Sequence, residues 1–168
     1  MYSYDGLGRI IKVDYNGNIT QYAYDDYNNR ISKTVGGETT SYSYDKNNRL
    51  LSETGITYTY DSNGNMLTKT QNGVKTNYGY DALNRLTSVS GNSSCTYTYN
   101  YDNQRTAKTV DGLSTSYVYS GGDIAAEYNS NSSKNYYYGT DRIASDKDYY
   151  IANAHTDVTA VTNTDGDV

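Results

Sequence analysis

His155 is the only histidine and Cys95 the only cysteine in the chain. His155 stands two residues before Asp157. Alternate residues of a strand share a face, so the two side chains could meet as an imidazole–carboxylate dyad. A dyad needs a nucleophile, and the sequence places no activated Ser or Cys beside it. Cys95 is remote, with no neighbouring His or Lys to lower its pKa. His155 is therefore read as a structural hydrogen-bonding residue and Cys95 as a small strand residue on the face of Tyr97. A single cysteine forms no internal disulfide. The run Asp61-Ser62-Asn63-Gly64-Asn65 imitates the start of a calcium loop. That loop needs Gly at its sixth position and Glu at its twelfth, where this chain has Met66 and Asn72. No catalytic residue, no metal and no cofactor is expected.

What remains is repeated. Tyr80-Asp81-Ala82-Leu83-Asn84-Arg85-Leu86 recurs as Tyr4-Asp5-Gly6-Leu7-Gly8-Arg9-Ile10 and as Tyr44-Asp45-Lys46-Asn47-Asn48-Arg49-Leu50. A looser copy begins at Tyr60-Asp61, with Asn65 in place of Arg. Two copies, Tyr24-Asp25 to Arg30 and Tyr99 to Arg105, read as carrying one extra residue, and degenerate copies begin at Tyr119 and Tyr138. The eight anchor tyrosines are 20, 20, 16, 20, 19, 20 and 19 residues apart, a period that makes each copy one supersecondary unit. Each Asp is expected to accept backbone N–H groups in an Asx-turn, and each Arg to pair with it across the loop. Exposed pairs of this kind contribute about 0.2–1 kcal/mol, so the reading is of turn determinants. A second Tyr precedes each anchor by two residues. Among these, Tyr22, Tyr42, Tyr58, Tyr78, Tyr97 and Tyr117 could stack on pyranose rings, although packing within a sheet explains them better.

These side chains must stand on strands. A β-leaning run follows each loop, as in Ile10-Ile11-Lys12-Val13 and Leu86-Thr87-Ser88-Val89. A tight turn comes next: Asn16-Gly17, Gly36-Gly37, Asn72-Gly73, Gly91-Asn92 or Asp111-Gly112. Such pairs supply the positive φ of two-residue hairpins. The returning strand carries the two tyrosines on one face. The 16-residue interval loses two residues from each strand, which keeps Tyr58 and Tyr60 on the face of Tyr42 and Tyr44.

Composition narrows the function. The 23 tyrosines dominate the apolar residues, with no Phe, Trp or Pro, so the sheet face is built from rings with polar tips. That suits a half-wet wall better than a dry core. A net charge of −5 disfavours nucleic acid and anionic membranes as partners. No apolar run reaches the roughly 18 residues of a membrane span. Met1 leads straight into a repeat, so the sequence reads as part of a longer chain whose targeting signals lie outside it.

Tyr-Asp followed by Gly or Asn, then Arg and an aliphatic residue, at a period near 20, resembles the YD repeat of Rhs-type proteins. Relatives include bacterial Rhs and wall-associated polymorphic toxins, the shell of Tc toxins and the teneurins. The resemblance covers essentially the whole chain. It implies a hollow shell of β-sheet that, in the bacterial toxins, encloses a C-terminal toxic domain. The stretch from Tyr136, with Asn153-Ala154-His155-Thr156-Asp157-Val158, resembles the end of the Rhs core, stopping before the Asp-Pro-x-Gly junction of that family.

The expectation is an all-β fold of tandem antiparallel β-hairpins, about 16 strands in a long, coiled, shell-like sheet. Residues 1–135 are expected to be the tandem repeats and 136–168 the core-like segment. The expected function is structural and non-catalytic: a shell fragment around a toxin, secreted or at a bacterial cell surface. Its expected partners are the rest of the parent shell and the cargo. The alternative is a cell-surface carbohydrate-binding or adhesion module. Two open sheet edges and an open Tyr face lead to an expectation of self-association.

Overall fold

The computed structural model describes residues 1–139, 142–152 and 157–167. They form eighteen strands and no helix, hence none long and apolar enough to cross a membrane. Two compact units are resolved, Met1–Asn92 and Ser93–Val168. The first holds β1 (Tyr2–Tyr4), β2 (Ile10–Tyr15), β3 (Asn18–Tyr24), β4 (Arg30–Val35) and β5 (Glu38–Tyr44). It continues with β6 (Leu50–Glu53), β7 (Ile56–Tyr60), β8 (Met66–Gln71), β9 (Val74–Tyr80) and β10 (Leu86–Ser90). The second holds β11 (Ser94–Tyr99), β12 (Arg105–Val110), β13 (Leu113–Ser120) and β14 (Asp123–Tyr128). After these come β15 (Ser133–Tyr138), β16 (Arg142–Ser145), β17 (Asp148–Ala152) and β18 (Val158–Thr162). The last pair is what raises the strand number above the expected 16. β15 runs straight through residues 135 and 136, where the sequence changes character.

Within each unit every strand pairs antiparallel with its neighbours in sequence. Four of the five turns have the expected chemistry; Gly91-Asn92 does not, since neither residue takes a positive φ. Asn16-Gly17 and Asn72-Gly73 have φ of 52° and 84°, and 52° and 77°, the doubly left-handed backbone that matches strand twist. Two hairpins are short, through the four-residue strands β6 and β16. In both, the first turn residue caps the preceding Tyr strand: Thr54 Oγ1 accepts from Ser41 N at 3.0 Å, and Asp146 Oδ2 from Asn135 N at 2.9 Å.

Register puts the paired tyrosines on one face. Tyr42 opposes Glu53, and Glu53 opposes Ile56, so Ile56, Tyr58 and Tyr60 lie on the Tyr42 face. The short unit thus keeps its parity.

One feature was not foreseen. The strand facing each anchor Tyr has a β-bulge opposite that residue: Tyr4 opposes Ile10 while Ser3 opposes Lys12, leaving Ile11 as the extra residue. The same shift recurs opposite Tyr24, Tyr44, Tyr60, Tyr80, Tyr99, Tyr119, Tyr138 and Ala152. Bulges bend the strand and increase its right-handed twist. They recur at the same end of successive strands, so each adds twist in the same place.

The sheet has almost no core. Among the described residues only Ala144 and Ser145 are buried. The polar face carries hydroxyl ladders instead, such as Ser43–Ser52 at 2.6 Å and Thr59–Thr68 at 2.7 Å.

Candidate functional site

Each Tyr-Asp connection is a closed five-residue loop. In the first copy Asp5 N donates to Arg9 O at 2.9 Å, and Gly8 N to Asp5 O at 3.0 Å. Asp5 Oδ1 accepts from Leu7 N and Arg9 N, and Asp5 Oδ2 from Arg9 Nε at 2.6 Å. The fourth residue is left-handed in each: Gly8, Asn28, Asn48, Gly64, Asn84 and Asn103 have φ between 60° and 90°. Only Gly and, less readily, Asn adopt that backbone without a steric penalty, which explains the Gly/Asn choice before the closing residue.

The closing residue is Arg9, Arg49 or Arg85 in three copies, with the Nε–Oδ2 contact at 2.6 or 2.7 Å. In two others an amide substitutes: Asn29 Nδ2 reaches Asp25 Oδ2 at 3.0 Å, and Asn65 Nδ2 reaches Asp61 Oδ2 at 2.9 Å. In the copy after Tyr99, Asn100 takes the place of Asp and Gln104 closes the loop. Arg30 and Arg105 are therefore not closing residues, contrary to the alignment by sequence. Their loops are of ordinary length, and each Arg is the first residue of a strand. Asn163 to Asp167 is another such loop, with Asn163 Oδ1 accepting from Asp165 N and Asp167 N.

The loops hold one another. Arg9 Nη1 donates to Asp25 O at 3.0 Å and Asn28 Oδ1 at 2.9 Å in the next loop. Asn29 Nδ2 donates to Asn48 Oδ1, Arg49 Nη1 to Asp61 O, and Asn65 Nδ2 to Asn84 Oδ1. In the second unit Gln104 Nε2 reaches Gly121 O at 2.8 Å. The tyrosines tie back the other way. Tyr24 Oη donates to Ile10 O, Tyr44 to Arg30 O, Tyr60 to Leu50 O, Tyr119 to Arg105 O and Tyr138 to Ile124 O, at 2.8–3.0 Å. Each acceptor is the carbonyl at the neighbouring bulge, where the ladder is disturbed. The bulges and the tyrosine hydroxyls thus satisfy each other.

Cations lie over the rings. The loop arginines cover the anchor Tyr of the next repeat: Arg9 is 4.8 Å from the Tyr24 centroid and Arg49 is 5.1 Å from Tyr60. The strand arginines cover the preceding tyrosines: Arg30 spans Tyr22 and Tyr42 at 5.8 and 4.7 Å, and Arg105 spans Tyr97 and Tyr117 at 5.6 and 5.0 Å. Such contacts contribute about 0.5–1 kcal/mol at exposed sites.

The teneurin YD-shell family model matches residues 1–168, the whole chain. The chain belongs to the teneurin YD-shell family. No curated protein matches it. Among solved structures it is similar to the crystal structure of TcdB2-TccC3-Cdc42, with TM-score 0.74 at 14% identity over 96% of this chain and 12% of that one. The structure of TcdB2-TccC3 without its hypervariable C-terminal region gives TM-score 0.72 at the same identity and coverage. At that identity the likeness is one of fold, and the chain spans about 12% of the length of those chains.

In this YD-shell segment the remaining sequence candidates fall as follows. Tyr22, Tyr42, Tyr58, Tyr78, Tyr97 and Tyr117 are half-buried on one sheet face within their units. Four of them have a ring face covered by the chain's own guanidinium. Cys95 is half-buried opposite Val110. His155 lies outside the described residues. The Asp61 carboxylate is taken up by Asn63 N, Asn65 N and Asn65 Nδ2. Among the described residues no three His, Cys, Asp or Glu side chains gather as metal ligands.

Hydrogen bonding sets the charge of the loops. The backbone N–H groups of Arg9, Arg49 and Arg85, then their guanidinium groups, hold Asp5, Asp45 and Asp81 below the usual carboxylate range. The amides of Asn29 and Asn65 do most of the same for Asp25 and Asp61. A depressed folded-state pKa stabilises the fold above the unfolded value, and that contribution disappears as pH falls through the lowered value. Thermal stability of this YD segment is therefore expected to hold down to about pH 5 and to fall as the pH drops below the ordinary carboxylate value of about 4 and through the lowered ones. Asp45→Asn should blunt the fall, because Asn100 already serves as a loop head. Melting curves by circular dichroism across that range test this, and a midpoint that does not move would refute it.

Proposed function

We propose that this chain is a non-catalytic stretch of shell wall that helps isolate a cargo domain in a larger extracellular toxin protein. The observation that carries the proposal is the coreless sheet, in which successive repeats are locked by loop-to-loop and tyrosine-to-bulge hydrogen bonds. Such a sheet spends its specificity on continuity with the next repeat and leaves both faces open. That is the requirement for a wall completed by further repeats, the rest of the shell being its first partner and the cargo its second. The similarity to the TcdB2-TccC3 fold supports the same reading. A glycan-binding face at a cell surface is less well served, because Arg30 and Arg105 occupy the ring faces a sugar would need.

Protease protection of the longer protein tests the proposal. The domain downstream of the repeats should resist digestion when attached and be cleaved rapidly when expressed alone. Equal digestion in both forms would overturn it.

A further inference from the structure

The Tyr face of the first unit holds a shallow basin of about 380 Å³ between β8, β9 and the turn residue Asn92. That lies within the range of small-ligand sites, about 300–1,000 Å³. Six polar side chains line it: Lys69, Gln71, Asn72, Thr76, Tyr78 and Asn92. None of the six makes a side-chain hydrogen bond or ion pair among the described residues. Elsewhere in the unit such groups are committed. Asn29 and Asn65 close loops, Thr59 pairs with Thr68, and the hydroxyls of Tyr24, Tyr44 and Tyr60 hold bulge carbonyls.

Tyr78 also differs from its counterparts. Tyr22, Tyr42, Tyr97 and Tyr117 each have a guanidinium over the ring. No cation lies over Tyr78, so its ring is open to a ligand. The charge of the basin has one sign. Lys69 is the one charged residue of the lining, and no carboxylate stands with it. Glu53, on the same face, is two strands away on β6 and accepts from Tyr58 Oη.

We propose that this basin binds an acidic sugar, a uronic acid within an oligosaccharide, with its ring on Tyr78 and its carboxylate on Lys69. The amides of Gln71, Asn72 and Asn92 each offer a donor and an acceptor, which is what neighbouring sugar hydroxyls need. A phosphate is best held by charge-assisted bonds from several cations, and five of the six groups are neutral. An extended peptide would add to a free sheet edge, but β8 and β9 are paired on both sides. The inference does not depend on whether the wall encloses a cargo.

The repeat supplies its own variants. Lys69 opposes Tyr58, the register position that Val13 and Val89 hold opposite Tyr2 and Tyr78. Gln71 opposes Val74, as Val35 opposes Glu38 and Val110 opposes Leu113. Lys69→Val and Gln71→Val therefore introduce residues that the fold already uses there. Lys33, opposite Tyr22, holds the Lys69 position outside the basin and is the control. The probe is trigalacturonate, titrated into the isotope-labelled 168-residue chain and followed by amide chemical shifts.

Shifts should concentrate on β8, β9 and Asn92. The methyl ester, with the same ring hydroxyls and no charge, should bind about tenfold more weakly, the effect of one charge-assisted contact. Lys69→Val should weaken the acid about tenfold and leave the ester unchanged. Gln71→Val should weaken both alike, and Lys33→Val neither. Absence of binding, shifts centred elsewhere, equal binding of acid and ester, or equal loss from Lys33→Val would overturn the proposal. Inorganic sulfate or a Glu tripeptide that displaces the sugar at equal charge would overturn the assignment to a saccharide.

Discussion

A single residue inserted after Ser52 is expected to abolish cooperative unfolding of Met1–Asn92, whereas four residues, two in β6 and two in β7, are tolerated. One added residue sends Tyr58 and Tyr60 to the opposite face, because side-chain direction alternates with period two. The Tyr60 hydroxyl then loses Leu50 O, and the Tyr58 hydroxyl loses Glu53 Oε1. The loss is about 1 kcal/mol for each hydrogen bond and about 1 kcal/mol for each half-buried ring, about 4 kcal/mol in all. That approaches the whole stability of an ordinary domain. Four residues restore the period of 20 and leave every contact on its face. Urea unfolding followed by circular dichroism distinguishes the cases. A one-residue insertion with the parental midpoint would show that the neighbouring bulge can shift to absorb it, and would refute the parity argument.

Alkali should unfold the protein in a narrow window. Burial raises the phenol pKa of Tyr44, Tyr60 and Tyr80, and burial with Cys95 raises that of Tyr97. Tyr58 is pushed to about 12 by its hydrogen bond to the Glu53 carboxylate and then by burial. Tyr136 reaches about 12 through burial and then its hydrogen bond to Glu127. A folded-state pKa above the unfolded value of about 10 favours the fold while the phenol is neutral. That contribution is complete below about pH 10 and is lost as pH climbs towards 12. Phenolate absorbance and circular dichroism, recorded together, should show the late-titrating tyrosines ionising as the strands melt. All tyrosines titrating near pH 10, with the sheet intact, would contradict this.

The strands and their facing were legible because two signals agree: a period near 20 and paired tyrosines two residues apart. The turns were legible because Asn-Gly and Gly-Gly name their own backbone. The closing residues Asn29 and Gln104 were missed because the sequence was aligned on the nearest Arg. The geometry counts five residues from the loop head, and the left-handed Asn28 and Asn103 mark the place. Arg30 and Arg105 then occupy the position held by Ile10, Leu50, Met66 and Leu86, opposite an anchor Tyr. The bulges left no trace in residue types, since the extra residue is an ordinary Ile, Leu, Thr or Ala. Loop-to-loop bonds such as Arg9 to Asp25 join residues sixteen apart, and only the strand pairing reveals that they meet.

The pairing of each strand only with its sequence neighbours has a mechanical consequence. Inter-strand hydrogen bonds run perpendicular to the strands. Tension drawn between the two end strands of a unit therefore loads one strand pair at a time, along its bonds, as in a zipper. The load is not shared, so the sheet peels hairpin by hairpin from an end. Each repeat then releases about 70 Å of slack chain. Force along the strands meets the opposite response, because a whole ladder must slide at once. Resistance to rupture is thus directional, weak across the strands and strong along them.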